Sequence, residues 1–255
     1  MGGTSLNNFP LCTAKVSMDD LLKLAIEAHG GIEHWRQFNE VRANVSITGA
    51  LWHLKGQPDV LKNVQVVAQL HRQHLVTHLI GKDQRTIFTT GQVSIESESG
   101  VIVETRVDPI TSFRGQSIST PWDMLHVAYF ASYALWRHLT IPFLYTYPGF
   151  VSEEIAPWQE DGEQWRALRV TFPDSIAGHT RNQISYFGPD GLLRRHEYTV
   201  DVLGNAPGLN YASDYRATNG LMVPHKRLVF AYDSERRKVA EPLLVAIDIH
   251  EIEFN

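Results

Sequence analysis

The 255-residue chain has a single cysteine, Cys12, so it can form no internal disulfide and no cysteine-based zinc cluster. It also lacks a long apolar run. The most hydrophobic stretch, 127–147, is broken by Arg137, His138 and Pro142, whereas a membrane-spanning helix needs about 20 nearly uncharged residues. The opening MGGTSLNNFPLCTAKV has neither the basic start nor the apolar centre of an export signal. Leu6 stands where a myristoylation signal wants Ser or Thr. There is no basic excess: 23 Lys and Arg against 28 Asp and Glu give a net charge of -5, which argues against nucleic-acid binding. G-x-S-x-G, Walker, G-x-G-x-x-G and H-E-x-x-H signatures are all missing, so no cofactor and no metal is expected. These absences predict a soluble, cytoplasmic protein, with Cys12 in a flexible segment over 1–16 where it is a poor nucleophile.

What is present is an ordinary globular composition, 43% hydrophobic and 20% charged, long enough for one domain over 1–255. Ser17 and Asp20 open a helix carrying Leu21, Leu24, Ala25 and Ala28 at helical spacing, and Gly30-Gly31 ends it. A short helical turn follows through Trp35. From Val41 to Leu51 apolar residues alternate with polar ones, the period of a half-buried strand. A second long strand runs from Val64 as far as Ile80. Shorter strands follow over 85–90, 93–98 and 101–107. Thr120, Pro121 and Asp123 then read as the cap and first turn of a helix reaching Leu139.

Strands resume after Pro157, over 164–172, 182–187, 192–203, 210–218, 222–232 and 243–254. Gly188-Pro189-Asp190-Gly191 and Asn219-Gly220 mark hairpin turns between them. Ten to eleven hairpin-linked strands without βαβ alternation predict an α+β fold: one large curled antiparallel sheet. A sheet that long must curl, giving an incomplete β-barrel with the N-terminal helix and an inserted helix covering its concave face.

The segment ISYFGPDGLLRRHEYTV, then YASDYR at Tyr211–Arg216, Asn219-Gly220, Pro224 and the terminal IDIHEIEFN resemble the second half of the LolA/LolB lipoprotein-carrier superfamily. The resemblance covers roughly 180–255 well and the rest in outline. It implies an incomplete barrel whose mouth is plugged by helices, and an activity of shuttling lipoprotein acyl chains. With no export signal read in the opening residues and an insertion from Pro121 to Pro148, the chain is expected to be a soluble relative of that fold.

On a helical wheel, Met124, Ala128, Ala131, Leu135 and Leu139 gather on one side of the inserted helix. Trp122, His126, Tyr129, Phe130, Tyr133, Trp136 and Arg137 gather on the other. The small aliphatic side suits close packing on a sheet. The aromatic side either packs as core or lines a pocket with a few polar handles. Asp123 and His126, three residues apart, suit either acid–base work or a helix cap.

Further along, His196 and Tyr198 lie in the more apolar row of their strand and are expected to face the barrel interior, with Tyr211 approaching them. Arg195–Glu197 and Asp214–Arg216 are expected as surface ladder pairs. His53 is a candidate rim position, and the spacing of His71, His74 and His78 on strands does not make a metal site.

Two functions follow. In the first, a hydrophobic small molecule, lipid-like or polycyclic, is held in the cavity. Trp122, Tyr129, Tyr133 and Trp136 form its walls, and His126, Arg137, His196 and Tyr198 orient it. Arg137 suits a carboxylate on the ligand. In the second, a cofactor-independent isomerase, cyclase or hydrolase uses His126, Tyr133, His196 and Tyr198 as proton-transfer groups.

Overall fold

The computed structural model describes residues 19–255; Cys12, Ser17 and the segment 1–16 lie outside them. The N-terminal half comprises α1 (Asp20–Ala28), α2 (Ile32–Trp35), β1 (Glu40–Thr48), α3 (Ala50–Leu54), β2 (Val64–Gln69), β3 (His74–Leu79), β4 (Arg85–Thr89), β5 (Gln92–Glu96) and β6 (Ile102–Val107). After α4 (Met124–Thr140) come β7 (Val151–Glu160), β8 (Glu163–Thr171), β9 (Asn182–Phe187), β10 (Leu193–Val200), β11 (Ala206–Thr218), β12 (Leu221–Tyr232), β13 (Lys238–Val239) and β14 (Val245–Phe254).

Thirteen of the strands form one antiparallel path, β6-β5-β4-β3-β2-β1-β14-β12-β11-β10-β9-β8-β7, with β13 paired to β12. The C-terminal strand β14 joins the two halves by pairing with β1, Val41 opposite Phe254 and Ile47 opposite Ile247. Among the described residues the sheet does not close, and β6 and β7 are the edges of an incomplete barrel. Within it α4 is buried on nearly every side; from Val127 to Thr140 only Ala134 is not fully buried. No described helix is long and apolar enough to cross a membrane.

Local chemistry explains where the elements depart from their expected bounds. α1 is capped by Asp19, whose carboxylate accepts from the Leu21 N–H at 2.8 Å, so the helix starts later than the Ser17–Asp20 reading has it. Its buried stripe is Leu21, Leu22, Ala25 and Ile26, while Leu24 is exposed. β1 ends at Thr48 because Gly49 takes φ +120°, a conformation open chiefly to glycine. The chain then turns into α3, where the Ala50 and Leu51 N–H groups donate to the Leu243 and Leu244 carbonyls at 3.0 Å each.

The long strand expected over 64–80 is a hairpin. Its turn, Leu70-His71-Arg72-Gln73, has no Gly, Pro, Asn or Asp and is held by distant partners: Tyr147 Oη donates to the Leu70 carbonyl at 2.8 Å. β7 is a strand that the sequence reading does not contain: it runs through Pro157, ahead of the first strand expected there, which is β8. An edge strand with a register shift between Ile155 and Trp158 tolerates the missing donor. Thr120 does not cap α4. Asp123 does, accepting from the His126 N–H at 2.9 Å, while Thr120 Oγ1 accepts from Ser117 N–H in the preceding turn at 2.9 Å.

Candidate functional site

The inner side of the sheet and α4 enclose a cavity of about 370 Å³, within the usual range of small-molecule sites. From α4 it takes Phe130, Ala131, Ala134, Leu135 and His138, a single face at helical spacing. Leu51, Trp52 and Leu54 of α3 form a second wall. Ile47, Val229, Val245 and Ile247 are the inward residues of β1, β12 and β14. Val200, Leu203, Pro207 and Gly208 close the side toward β10 and β11. The wall is hydrocarbon except at His138, His179, Tyr198 and the Trp52 indole N–H. Two lining residues, Leu54 and Ile118, are 46% and 43% exposed and give the mouth an apolar rim.

Of the two readings left open by the wheel, core holds for most of the aromatic side: Phe130 alone of it borders the cavity, beside the small aliphatic residues Ala131 and Leu135. Trp122 is wedged among Phe113 and Phe130, and its Nε1 donates to Gln116 Oε1 at 2.8 Å. Tyr129 sits edge-on to Phe88 and near Phe113. Trp136 is fully buried, and its Nε1 donates to the Gln69 carbonyl at 2.6 Å. None of the three lines the cavity. An aliphatic surface leaves room beside a helix, whereas large rings fill the space against the sheet.

His126 completes a capping box. The Asp123 N–H donates to His126 Nδ1 at 3.4 Å, Nδ1 also lies 2.7 Å from Asp123 Oδ1, and Nε2 lies 2.9 Å from Gln116 Nε2. Burial works against the Asp123 carboxylate, but hydrogen bonds from Arg106 and the His126 backbone outweigh it and lower its pKa to about 2. His53 is exposed on α3 and outside the lining.

Tyr211 is on the other side of the sheet from His196 and Tyr198. It is directly opposite Arg195 in the β10–β11 register, and its hydroxyl donates to Glu160. There Arg195 and Glu197 are not a surface pair. Arg195 is fully buried beneath Trp158 and Tyr186, donating to Glu160 and Glu197 at 2.6 Å each. Arg236 also donates to Glu197, at 2.7 Å. Asp214–Arg216 is exposed, as a ladder pair should be.

The remaining predicted groups meet at one end of the cavity, around residues that the sequence reading passed over. Tyr133 Oη and His179 Nδ1 are hydrogen-bonded at 3.0 Å. The His179 ring stacks on Tyr198 with centroids 4.2 Å apart, and His196 meets Tyr198 edge-on at 5.3 Å. Arg137 lies over the Tyr198 ring at 5.0 Å and donates to Gln183 Oε1 at 2.9 Å. Arg227 donates to the His138 carbonyl at 3.0 Å and to Asn210 Oδ1 at 3.3 Å. Of the ten predicted site residues, Tyr198 alone is in the cavity wall.

Burial, reinforced by the Arg137 charge, pushes the imidazoles of His138, His179 and His196 well below their ordinary value, so all three are neutral at pH 7. Burial also raises the phenols of Tyr133 and Tyr198. His138 and Arg227 carry periodic signals indistinguishable from core positions, and His179 sits in a segment without any period, so no pattern marked them.

No protein-family model matches the chain, and no curated protein matches it in sequence. Among solved structures, a LolA superfamily protein from Nitrosomonas europaea is similar at 10% identity. The match covers 91% of this chain and 92% of that one, with a TM-score of 0.53. A DUF1329 family protein from Desulfovibrio piger gives 9% identity, 93% and 94% coverage and a TM-score of 0.53. An outer membrane lipoprotein-sorting protein domain from Vibrio parahaemolyticus gives 8% identity, 89% and 93% coverage and a TM-score of 0.52. The fold is LolA-like. The cytoplasmic placement read from the N-terminus does not stand: a solved structure that shares this fold is described as an outer membrane lipoprotein-sorting protein domain.

Proposed function

We propose that the protein holds a hydrophobic small molecule, lipid-like in shape, in the cavity between α3, α4 and the concave sheet. The observation that carries this reading is the wall itself: a void of about 370 Å³ lined almost wholly by carbon, opening through an apolar rim at Leu54 and Ile118. An empty apolar cavity of this size forfeits the dispersion contacts its wall atoms would otherwise make, and a ligand restores them. The LolA-like fold, shared with a lipoprotein-sorting domain, supports the same reading.

Proton-transfer catalysis has weaker support. His126 is committed to the helix cap. Imidazoles held well below pH 7 and phenols held above 10 are poorly matched to general acid–base work at neutral pH. The test is native mass spectrometry of the purified protein for a co-purified ligand, followed by titration with a neutral apolar fluorophore. Saturable 1:1 binding is expected, and the absence of both a bound ligand and saturable binding overturns the reading.

A further inference from the structure

Two buried guanidinium groups stand at the polar end of the cavity without a carboxylate between them. Arg137 is 1% and Arg227 2% exposed, and among the described residues neither forms an ion pair with Asp or Glu. Arg195, on the other side of the same sheet, shows how this protein neutralises a buried arginine when it does so internally: Glu160 and Glu197 each lie 2.6 Å from it. Arg137 instead has one partner, the neutral Gln183 amide, and its Nε and Nη2 have none. Arginine stays charged at any physiological pH, and an uncompensated buried charge is costly.

The neighbouring cavity wall also offers donors. Asn210 Oδ1 accepts from Arg227 at 3.3 Å, which turns the Asn210 amide nitrogen toward His138 Nε2 at 3.1 Å. His138 Nε2 is therefore the acceptor, and in the neutral ring the proton sits on Nδ1, which is buried without a partner. The second lining side chain with an unpartnered buried polar atom, Trp52, is likewise a donor through Nε1.

We propose that the ligand is an anionic amphiphile, whose negatively charged head lies at the His138–His179–Tyr198 end of the cavity. Arg137 and Arg227 supply its counter-charge, and its apolar tail points toward Leu54 and Ile118. This rests on the hydrophobic-ligand reading and adds the charge and orientation of the ligand. Arg137 acts across the Tyr198 ring, and Arg227 acts through His138 and Asn210. Both stand behind the wall that the head touches.

The experiment compares hexadecanoate with hexadecanol, of equal chain length, in displacing a neutral apolar fluorophore from the intact protein at pH 8. Preference for the acid by roughly 10- to 100-fold is expected, the span of a charge-assisted hydrogen bond. In Arg137→Met that preference should shrink at least several-fold while hexadecanol binding stays within about twofold. Equal binding of acid and alcohol by the wild-type protein overturns the anionic head but leaves a hydrophobic carrier. Binding of neither overturns the carrier reading as well. If Arg137→Met fails to fold, the wild-type acid-to-alcohol ratio alone decides.

Discussion

Gly208 lies directly opposite Tyr198 across the β10–β11 ladder, and a β-carbon placed on it would stand 2.5 Å from Cε2 of the Tyr198 ring. The glycine is there for space. Its missing side chain leaves room for the phenol, whose ring stacks on His179 at 4.2 Å and has the Arg137 guanidinium 5.0 Å from its centroid. Gly208→Ala should therefore displace the ring and cost about 1–3 kcal/mol through overpacking. Urea denaturation measures this, and an unchanged midpoint would show that the ring has free room elsewhere.

Ala131 and Ala134 are the small residues through which α4 borders the void. Ala131→Phe should fill it, lowering affinity for an apolar fluorophore at least tenfold while the far-ultraviolet circular dichroism stays the same. His53→Ala, an exposed position outside the lining, should leave that affinity unaltered. Equal affinities in all three proteins would mean that the fluorophore binds somewhere else.

The aromatic stripe predicts a different outcome. Trp136 is fully buried and donates to the Gln69 carbonyl of β2, so it ties α4 to the first half of the sheet. Trp136→Ala should cost about 3–5 kcal/mol of stability. Binding should fall only as far as the folded fraction does, which titrations at increasing protein stability under added osmolyte would separate from a direct contact.

His29, His138, His179 and His196, all deeply buried, make stability fall with acid. Burial lowers His29 to about 4, and pushes His138, His179 and His196 well below 6.5. The unfolded chain takes up protons near pH 6.5 that the folded chain refuses. The stability is therefore complete above that pH and is lost as pH falls toward 4. Each histidine contributes a slope of up to about 1.4 kcal/mol per pH unit. Urea midpoints between pH 7.5 and 4.5 should drop steeply, and His196→Leu should make the slope shallower. A flat profile would mean that these rings are protonated in the folded protein.

The sheet was legible in the sequence where clear alternation flanked a turn of Gly, Asn or Asp, although β7, ahead of Asp161-Gly162, went unread. The β11–β12 hairpin is the clearest instance, since Asn219 and Gly220 take the positive φ angles of a tight turn. It was illegible where distant contacts make the turn, as at Leu70–Gln73, or where an edge strand accommodates Pro157. At the start of α4 both Thr120 and Asp123 are good caps. Arg106 reaches Asp123 at 2.7 Å from the preceding strand β6, a contact beyond the few residues that a capping pattern spans.

Strand alternation pointed Tyr198 into the barrel, where it lines the cavity, but the rest of the site was legible only as composition. A helical wheel separates aromatic from aliphatic faces but does not say which one meets a wall and which one meets a void. The polar end needed four separate segments to be brought together, carrying His138, His179, His196 and Arg227.

In a closed barrel, interior volume follows from strand number and stagger. Here the ladder stops at β6 and β7, and α4 spans the curl, packed on β3, β4 and β5 and hydrogen-bonded to Gln183 on β9 and Asn210 on β11. The helix acts as a gauge block. What it presents at 131, 134 and 135 sets the width of the chamber, while the strand register around it stays as it is. Exchanging two or three side chains on one helix resizes the chamber without recutting the sheet.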